Sequence, residues 1–218
     1  MSLRQITLSA KFGFELARKF NIETWAISEL FWSKLRKYKT GKILKCNIIA
    51  SDVLENSEYV HSSHINVANS HQLFDFNFYF NLNSKYEKKL MQLDILRKGM
   101  IEIASAENWE IEPIENAYFA CLEQKLENKF LVNDKLKSSP NRKIKAGIWC
   151  CWDIDIFKLY LILFDENGQE IHKEKFVDNE PHLGEFIYYL KLKWIDQSNI
   201  QITENKKKWG FNIEKALK

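Results

Sequence analysis

Apolar and polar positions alternate most sharply over residues 73–82, Leu-Phe-Asp-Phe-Asn-Phe-Tyr-Phe-Asn-Leu. At a period of two, Phe74, Phe76, Phe78, Phe80 and Leu82 share one side, and Leu73, Asp75, Asn77, Tyr79 and Asn81 the other. That pattern predicts a strand of an antiparallel sheet with one face partly wet. Elsewhere the period lengthens. Residues 9–39 read as helical, with Ile22, Trp25, Ala26, Leu30, Phe31 and Leu35 on one stripe, Asn21 as a candidate N-cap and Gly41 as a stop. Ser84 and Glu87 form a capping box, which predicts a helix over 85–106 with Leu90, Leu93, Ile95, Leu96, Met100, Ile101 and Ile103 on its buried side. Pro113 marks the first position of a further helix over 113–129.

Strands are expected at 42–54, 144–153 and 156–164, and Asn167-Gly168 predicts a hairpin into a strand at 169–177. Residues 55–71 read as a polar, His-bearing stretch and 133–143 as a basic loop. Pro181 opens a short helix, Ile200–Ile202 is a last short strand, and the Lys206–Trp209 tail reads as loosely held. Strands in clusters, not interleaved singly with helices, predict an α+β fold: an antiparallel or mixed sheet built from hairpin clusters, with several packed helices. The expectation is a single domain over 1–218, with 1–40 a helical N-terminal segment packed on the main body.

Composition supports a real core: of 218 residues 45% are hydrophobic and 14% aromatic. Charge changes the picture more by its distribution than by its total. Residues 1–50 hold ten Lys/Arg against three Asp/Glu, a balance of +7, which leaves −4 for the remainder of a chain whose net charge is +3. Cys46, Cys121, Cys150 and Cys151 contain no CxxC pair and read as small buried hydrophobes of a reducing compartment. Met-Ser-Leu-Arg-Gln lacks a signal-peptide core, and no 18-residue apolar run is present, so no membrane span is expected and the cytoplasm is the expected compartment.

Candidate chemistry is sparse. His61, His64 and His71 lie close in sequence, yet in an extended chain His61 and His71 stand about 33 Å apart and His64 faces the other way, so only a turn or helix gathers them as zinc ligands. Asp153 and Asp155, two apart in Trp-Asp-Ile-Asp-Ile, share a strand face where they are able to hold a hard cation or serve in acid–base work; a turn or strand end is the simpler reading. No GxSxG, GxGxxG, GxxxxGK[ST] or HExxH is present, so neither catalytic residues nor a cofactor are assigned. Residues 34–45 carry six Lys/Arg and no acid, flanked by Trp32 and Tyr38, a footprint for nucleic acid or simply a solvated helix end. Trp209, in a charged tail, is the tryptophan expected at the surface or on a partner.

Together these features fit a protein of bacterial type whose surface is its function: a binding or inhibitory protein of immunity or antitoxin kind, without catalysis, that occludes a protein partner. The alternatives are a metal-assisted hydrolase and a nucleic-acid binder acting through the basic N-terminal region. No membrane partner is expected.

Overall fold

The computed structural model describes residues 1–10, 14–35, 37–53, 58–62 and 66–217. The chain is α+β and divides into two compact units, Met1–Asn128 and Lys129–Lys218.

The first unit runs β1 (Gln5–Ala10), α1 (Phe14–Glu23), α2 (Trp25–Lys34), β2 (Lys45–Ser51), β3 (Glu58–Ser62), β4 (Val67–Leu73), α3 (Phe76–Asn81), α4 (Lys85–Ala106) and α5 (Glu112–Glu123). Its sheet has the order β1-β2-β4-β3, with β1, β2 and β4 parallel and β3 antiparallel to β4. Parallel neighbours need a crossover; α1 and α2 supply it between β1 and β2. The helices α1, α2 and α4 pack on the sheet. One face of the sheet is fully buried, through Ile6, Leu8, Cys46, Ile48, Ala50 and Ala68, in one core with Phe20, Ile27, Phe31, Leu93, Leu96 and Met100. The alternate positions, among them Thr7, Lys45, Asn47, Asn69 and His71, are only half-buried.

The first turn of α4 follows the capping box: Ser84 Oγ accepts from the Glu87 N–H at 3.3 Å, and the helix spans Lys85–Ala106. Leu93, Ile95, Leu96, Met100 and Ile103 are buried as expected, with Leu90 and Ile101 at the margin. Helix α5 stops at Glu123, short of the expected 129, because Lys125 and Leu126 adopt φ of +53° and +54°. That turn drives Leu126 back into the core and lets its N–H reach the Cys121 carbonyl at 3.0 Å. Asn21 caps no helix; its Oδ1 accepts from the Ala10 N–H at 2.7 Å and ties α1 to β1.

The segment with the sharpest alternation is not a strand. β4 ends at Leu73, and Phe76–Asn81 is helical. Asp75 accepts from the Phe78 N–H at 2.8 Å, an N-cap that a period-two reading assigns to a polar strand face. The same residues satisfy a helical spacing, 76–79–80. Phe20 meets Phe74, Phe76 and Tyr79 edge-on at 5.1, 5.1 and 5.2 Å, so packing against one ring from α1 selects the helix. Phe78, which a strand would have turned to the same side, is 58% exposed. The polar stretch 55–71 yields two strands, β3 and the start of β4, with 54–57 and 63–65 outside the described residues.

The second unit holds β5 (Asn128–Leu131), β6 (Lys137–Ser138), β7 (Lys145–Trp152), β8 (Phe157–Phe164), β9 (Glu170–Asn179), a 3-10 segment Pro181–Tyr189, β10 (Lys191–Trp194), β11 (Asn199–Glu204), β12 (Lys207–Asn212) and α6 (Ile213–Ala216). β5-β7-β8-β9 form one sheet, with β6 paired to β7. The β7–β8 and β8–β9 hairpins are antiparallel. Asp165 closes the β8–β9 turn by accepting from the N–H groups of Asn167 and Gln169 at 2.9 and 2.8 Å, with Gly168 at φ +82°. A second antiparallel sheet has the order β10-β11-β12. The tail expected to be loose is β12, and Trp209 packs edge-on against Phe176 at 5.3 Å. Alternation puts Lys207, Trp209 and Phe211 on one face of β12, where Phe211 is buried and Trp209 half-buried, and turns Lys208 to the other.

Candidate functional site

The histidines do not assemble. His71 lies in β4 opposite Glu58 of β3, on the half-buried sheet face, and His61 stands opposite Ala68, three residues along β4. His64 lies outside the described residues. Among the described residues no group of three or more His, Cys, Asp or Glu is placed to hold a metal ion. Asp153 and Asp155 occupy the short connection between β7 and β8. The Asp153 N–H donates to the Ile156 carbonyl at 2.8 Å, and Asp153 Oδ1 accepts from the Ile154 N–H at 2.8 Å. Asp153 thus serves the turn itself. Cys46 and Cys121 are buried, and burial pushes both thiols up to about 12, so neither is a thiolate nucleophile at neutral pH. Cys150 is buried and Cys151 half-buried, on opposite faces of β7.

The basic segment is built into the first sheet's amino edge. The Leu3 N–H donates to the Tyr38 carbonyl at 3.0 Å, the Thr40 N–H to the Met1 carbonyl at 3.0 Å, and the Arg4 N–H to the Leu44 carbonyl at 2.8 Å. These bonds lay residues 1–4 alongside 38–44. Arg4, Lys37, Lys39 and Lys42 are exposed there, and Lys45 is half-buried at the start of β2. Arg36 lies outside the described residues. Tyr38 anchors the segment from below: it is buried, its OH donates to the Glu110 carbonyl at 2.6 Å, and burial first, then the charges of neighbouring groups, pushes it up to about 12. Acids near this edge are few. Glu107 and Glu110 sit close enough to act on Cys46 and Tyr38, and Asp52, the acid within 37–53, is at the far end of β2. Lys34 is engaged elsewhere, donating to Gln124 Oε1 at 2.6 Å.

From this edge the half-buried sheet face continues as a polar rung. Thr7, Asn47 and Asn69 lie level across β1, β2 and β4. Thr7 Oγ1 donates to Asn47 Oδ1 at 2.7 Å, and Asn47 Nδ2 to Asn69 Oδ1 at 2.8 Å. Two half-buried networks lie on the helix side. Ser70 and Gln72 both donate to Glu102 Oε2, at 2.5 and 3.0 Å, and Glu23 Oε2 accepts from Tyr79 OH at 2.6 Å and Lys88 Nζ at 3.4 Å. Both join helix to sheet or helix to helix and read as structural. Sequence reasoning missed them because each partner comes from a different element.

In the second unit, one face of the β7–β8–β9 sheet carries Trp149 opposite Tyr160, both half-buried, and the Lys173 ammonium lies 5.7 and 4.9 Å from their ring centroids. The available signal was the parity of Trp149, Lys158 and Tyr160 about the β7–β8 turn. Comparison with protein-family models, curated proteins and solved structures finds no match. No helix among the described residues is long and apolar enough to cross a membrane.

Proposed function

We propose that this protein binds nucleic acid through the basic edge of its first unit. The carrying observation is that Arg4, Lys39 and Lys42 are fixed at the amino end of the first sheet by main-chain hydrogen bonds between residues 1–4 and 38–44, with Lys37 and Lys45 directly flanking that segment. Cations on ordered backbone lose less freedom on meeting a phosphate chain than cations on a loose tail. Binding of this kind releases counterions, so affinity falls steeply with salt.

The test is titration of a labelled oligonucleotide at about 50 and about 200 mM salt, with the Lys39→Glu/Lys42→Glu double variant alongside. Loss of two phosphate contacts lowers the salt slope by about 1.4 for a single strand. Binding indifferent to salt, or a double variant indistinguishable from the parent, would falsify this reading. The protein-partner reading, of immunity or antitoxin kind, draws on a different observation: Leu183, Tyr188 and Tyr189 of the 3-10 segment are 49, 45 and 63% exposed. It predicts one protein recovered at near-equal amount in a pull-down, weakened by Leu183→Glu and unchanged by the lysine variants. The hydrolase reading has no assembled ligand set among the described residues to draw on.

A further inference from the structure

We infer that the half-buried face of the β7–β8–β9 sheet is a stacking platform for the bases of single-stranded nucleic acid. The inference shares its polymer with the proposal above but rests on separate residues. In strand β7 the positions facing this way include Trp149 and Cys151, and in β8 Lys158 and Tyr160; all four are half-buried, while the intervening Ile148, Cys150, Leu159 and Leu161 are buried. Register places Trp149 directly opposite Tyr160, and Tyr160 opposite Lys175. Two aromatic rings on adjacent strands, neither sunk into the core, are therefore displayed side by side with cations on the same face.

The charges suit a phosphate chain. Lys173 is exposed, lies over both rings, and among the described residues pairs with no carboxylate. Lys158 and Lys175 both approach Asp178, at 3.9 and 2.5 Å, so the acid beside the aromatic pair is already neutralised. A second acid, Glu170, is paired with Phe164 at the far end of the same hairpin. A base stacking on Trp149 or Tyr160 must displace the Lys173 ammonium from the rings. An ammonium over a partly exposed ring is held less tightly than a stacked base, and the lysine stem carries the charge aside to the phosphate that follows. The face is sealed at one end: a Cβ on Gly147 would meet Leu131 and Leu136 side chains at 2.6 and 2.7 Å, so apolar groups cover that position and leave the aromatic pair as the open part.

The probe is a labelled oligothymidylate of about 12 nucleotides, within the span a single platform covers, compared with a duplex of equal length, both titrated into the full chain. Trp149→Ala is expected to weaken oligothymidylate binding about 5- to 150-fold, the equivalent of one lost stack, with duplex binding unchanged and Trp149→Phe largely restoring it. Lys173→Glu alters an exposed side chain, keeps the fold, and is expected to weaken the same probe about tenfold. Unchanged oligothymidylate affinity in Lys173→Glu, or in a Trp149→Ala variant with native circular dichroism, overturns the platform. If these variants bind normally while Lys39→Glu/Lys42→Glu fails, the platform falls and the basic edge stands. The reverse pattern leaves the platform and removes the basic edge. A chain that binds neither probe removes both.

Discussion

Gly99 lies inside α4 with its Cα turned to the first sheet, and replacing it with alanine sets two effects against each other. In an exposed helix interior the change stabilises by about 1 kcal/mol, because alanine surrenders less backbone freedom. Here the added Cβ would stand 2.6 and 2.8 Å from Ile48 Cδ1 and Cγ2 and 3.0 Å from Ser70 Oγ. Ile48 is fully buried, and Cγ2, branching from its own Cβ, moves only if χ1 leaves its well. Ser70 is held by its bond to Glu102 and by the Gln72 amide at 2.7 Å. Overpacking against such neighbours costs about 1–3 kcal/mol, so Gly99→Ala is expected to be net destabilising, by about 0–2 kcal/mol. Gly147→Ala is the comparison. Its Cβ meets terminal methyls of Leu131 and Leu136, the latter 40% exposed and free to swing outward. The strand gain of about 0.5–1 kcal/mol then offsets the repacking, and the net change is near zero. Urea unfolding followed by far-UV circular dichroism and by tryptophan fluorescence gives the midpoints. A Gly99→Ala midpoint above the parent's would refute the packing argument, since helix propensity alone would then govern the site.

Two further predictions concern buried hydroxyls and thiols. Tyr38 is raised from 10.0 to about 12 and Cys46 from 9.0 to about 12, both chiefly by burial. The neutral form is favoured in the fold, so their contribution is intact below pH 9 and is lost as pH climbs from about 9 to about 12; an alkaline unfolding curve flat across that window contradicts the burial. Tyr79→Phe removes the OH that donates to Glu23 and accepts from Gln92 Nε2 at 2.6 Å, leaving a carboxylate and an amide short of a partner in a buried site. It is expected to destabilise by about 1–3 kcal/mol, measured as a urea midpoint shift, and a shift within error would show that water replaces the hydroxyl.

The parts of the fold legible in the sequence are those fixed locally. α4 follows its capping box because Ser84 and Glu87 lie within one turn, and the β7–β8–β9 hairpins follow from apolar runs separated by polar turns. The parallel arrangement of β1, β2 and β4 was not legible, since β3 and β4 arise in a polar stretch and only the pairing of β4 with β2, and of β3 with β4, reveals them. The error at 73–82 has the same origin. Five aromatic residues within seven positions satisfy both a period of two and a helical spacing, and the choice is made by Phe20, more than fifty residues away.

The candidate sites show the same division more sharply. The charge asymmetry of the first fifty residues is readable at once, but its concentration on one edge depends on Arg4 meeting Leu44 through the parallel pairing of β1 with β2. The charge balance of the aromatic face depends on an irregularity. Leu159 pairs with Val177 and Tyr160 with Lys175, so Phe176 is the extra residue of a bulge. Strict alternation along β9 would put Lys173, Lys175 and Val177 on one side and strand Asp178 on the other. The bulge instead turns Val177 inward, where it is 7% exposed, and brings Asp178 to Lys158. Phe176, displaced from the ladder, packs against Trp209 and Phe211 at 5.3 and 5.7 Å. The tail strand that the sequence suggested was loose therefore holds the bulge, and the bulge brings Asp178 onto the face that Trp149, Tyr160, Lys173 and Lys175 share.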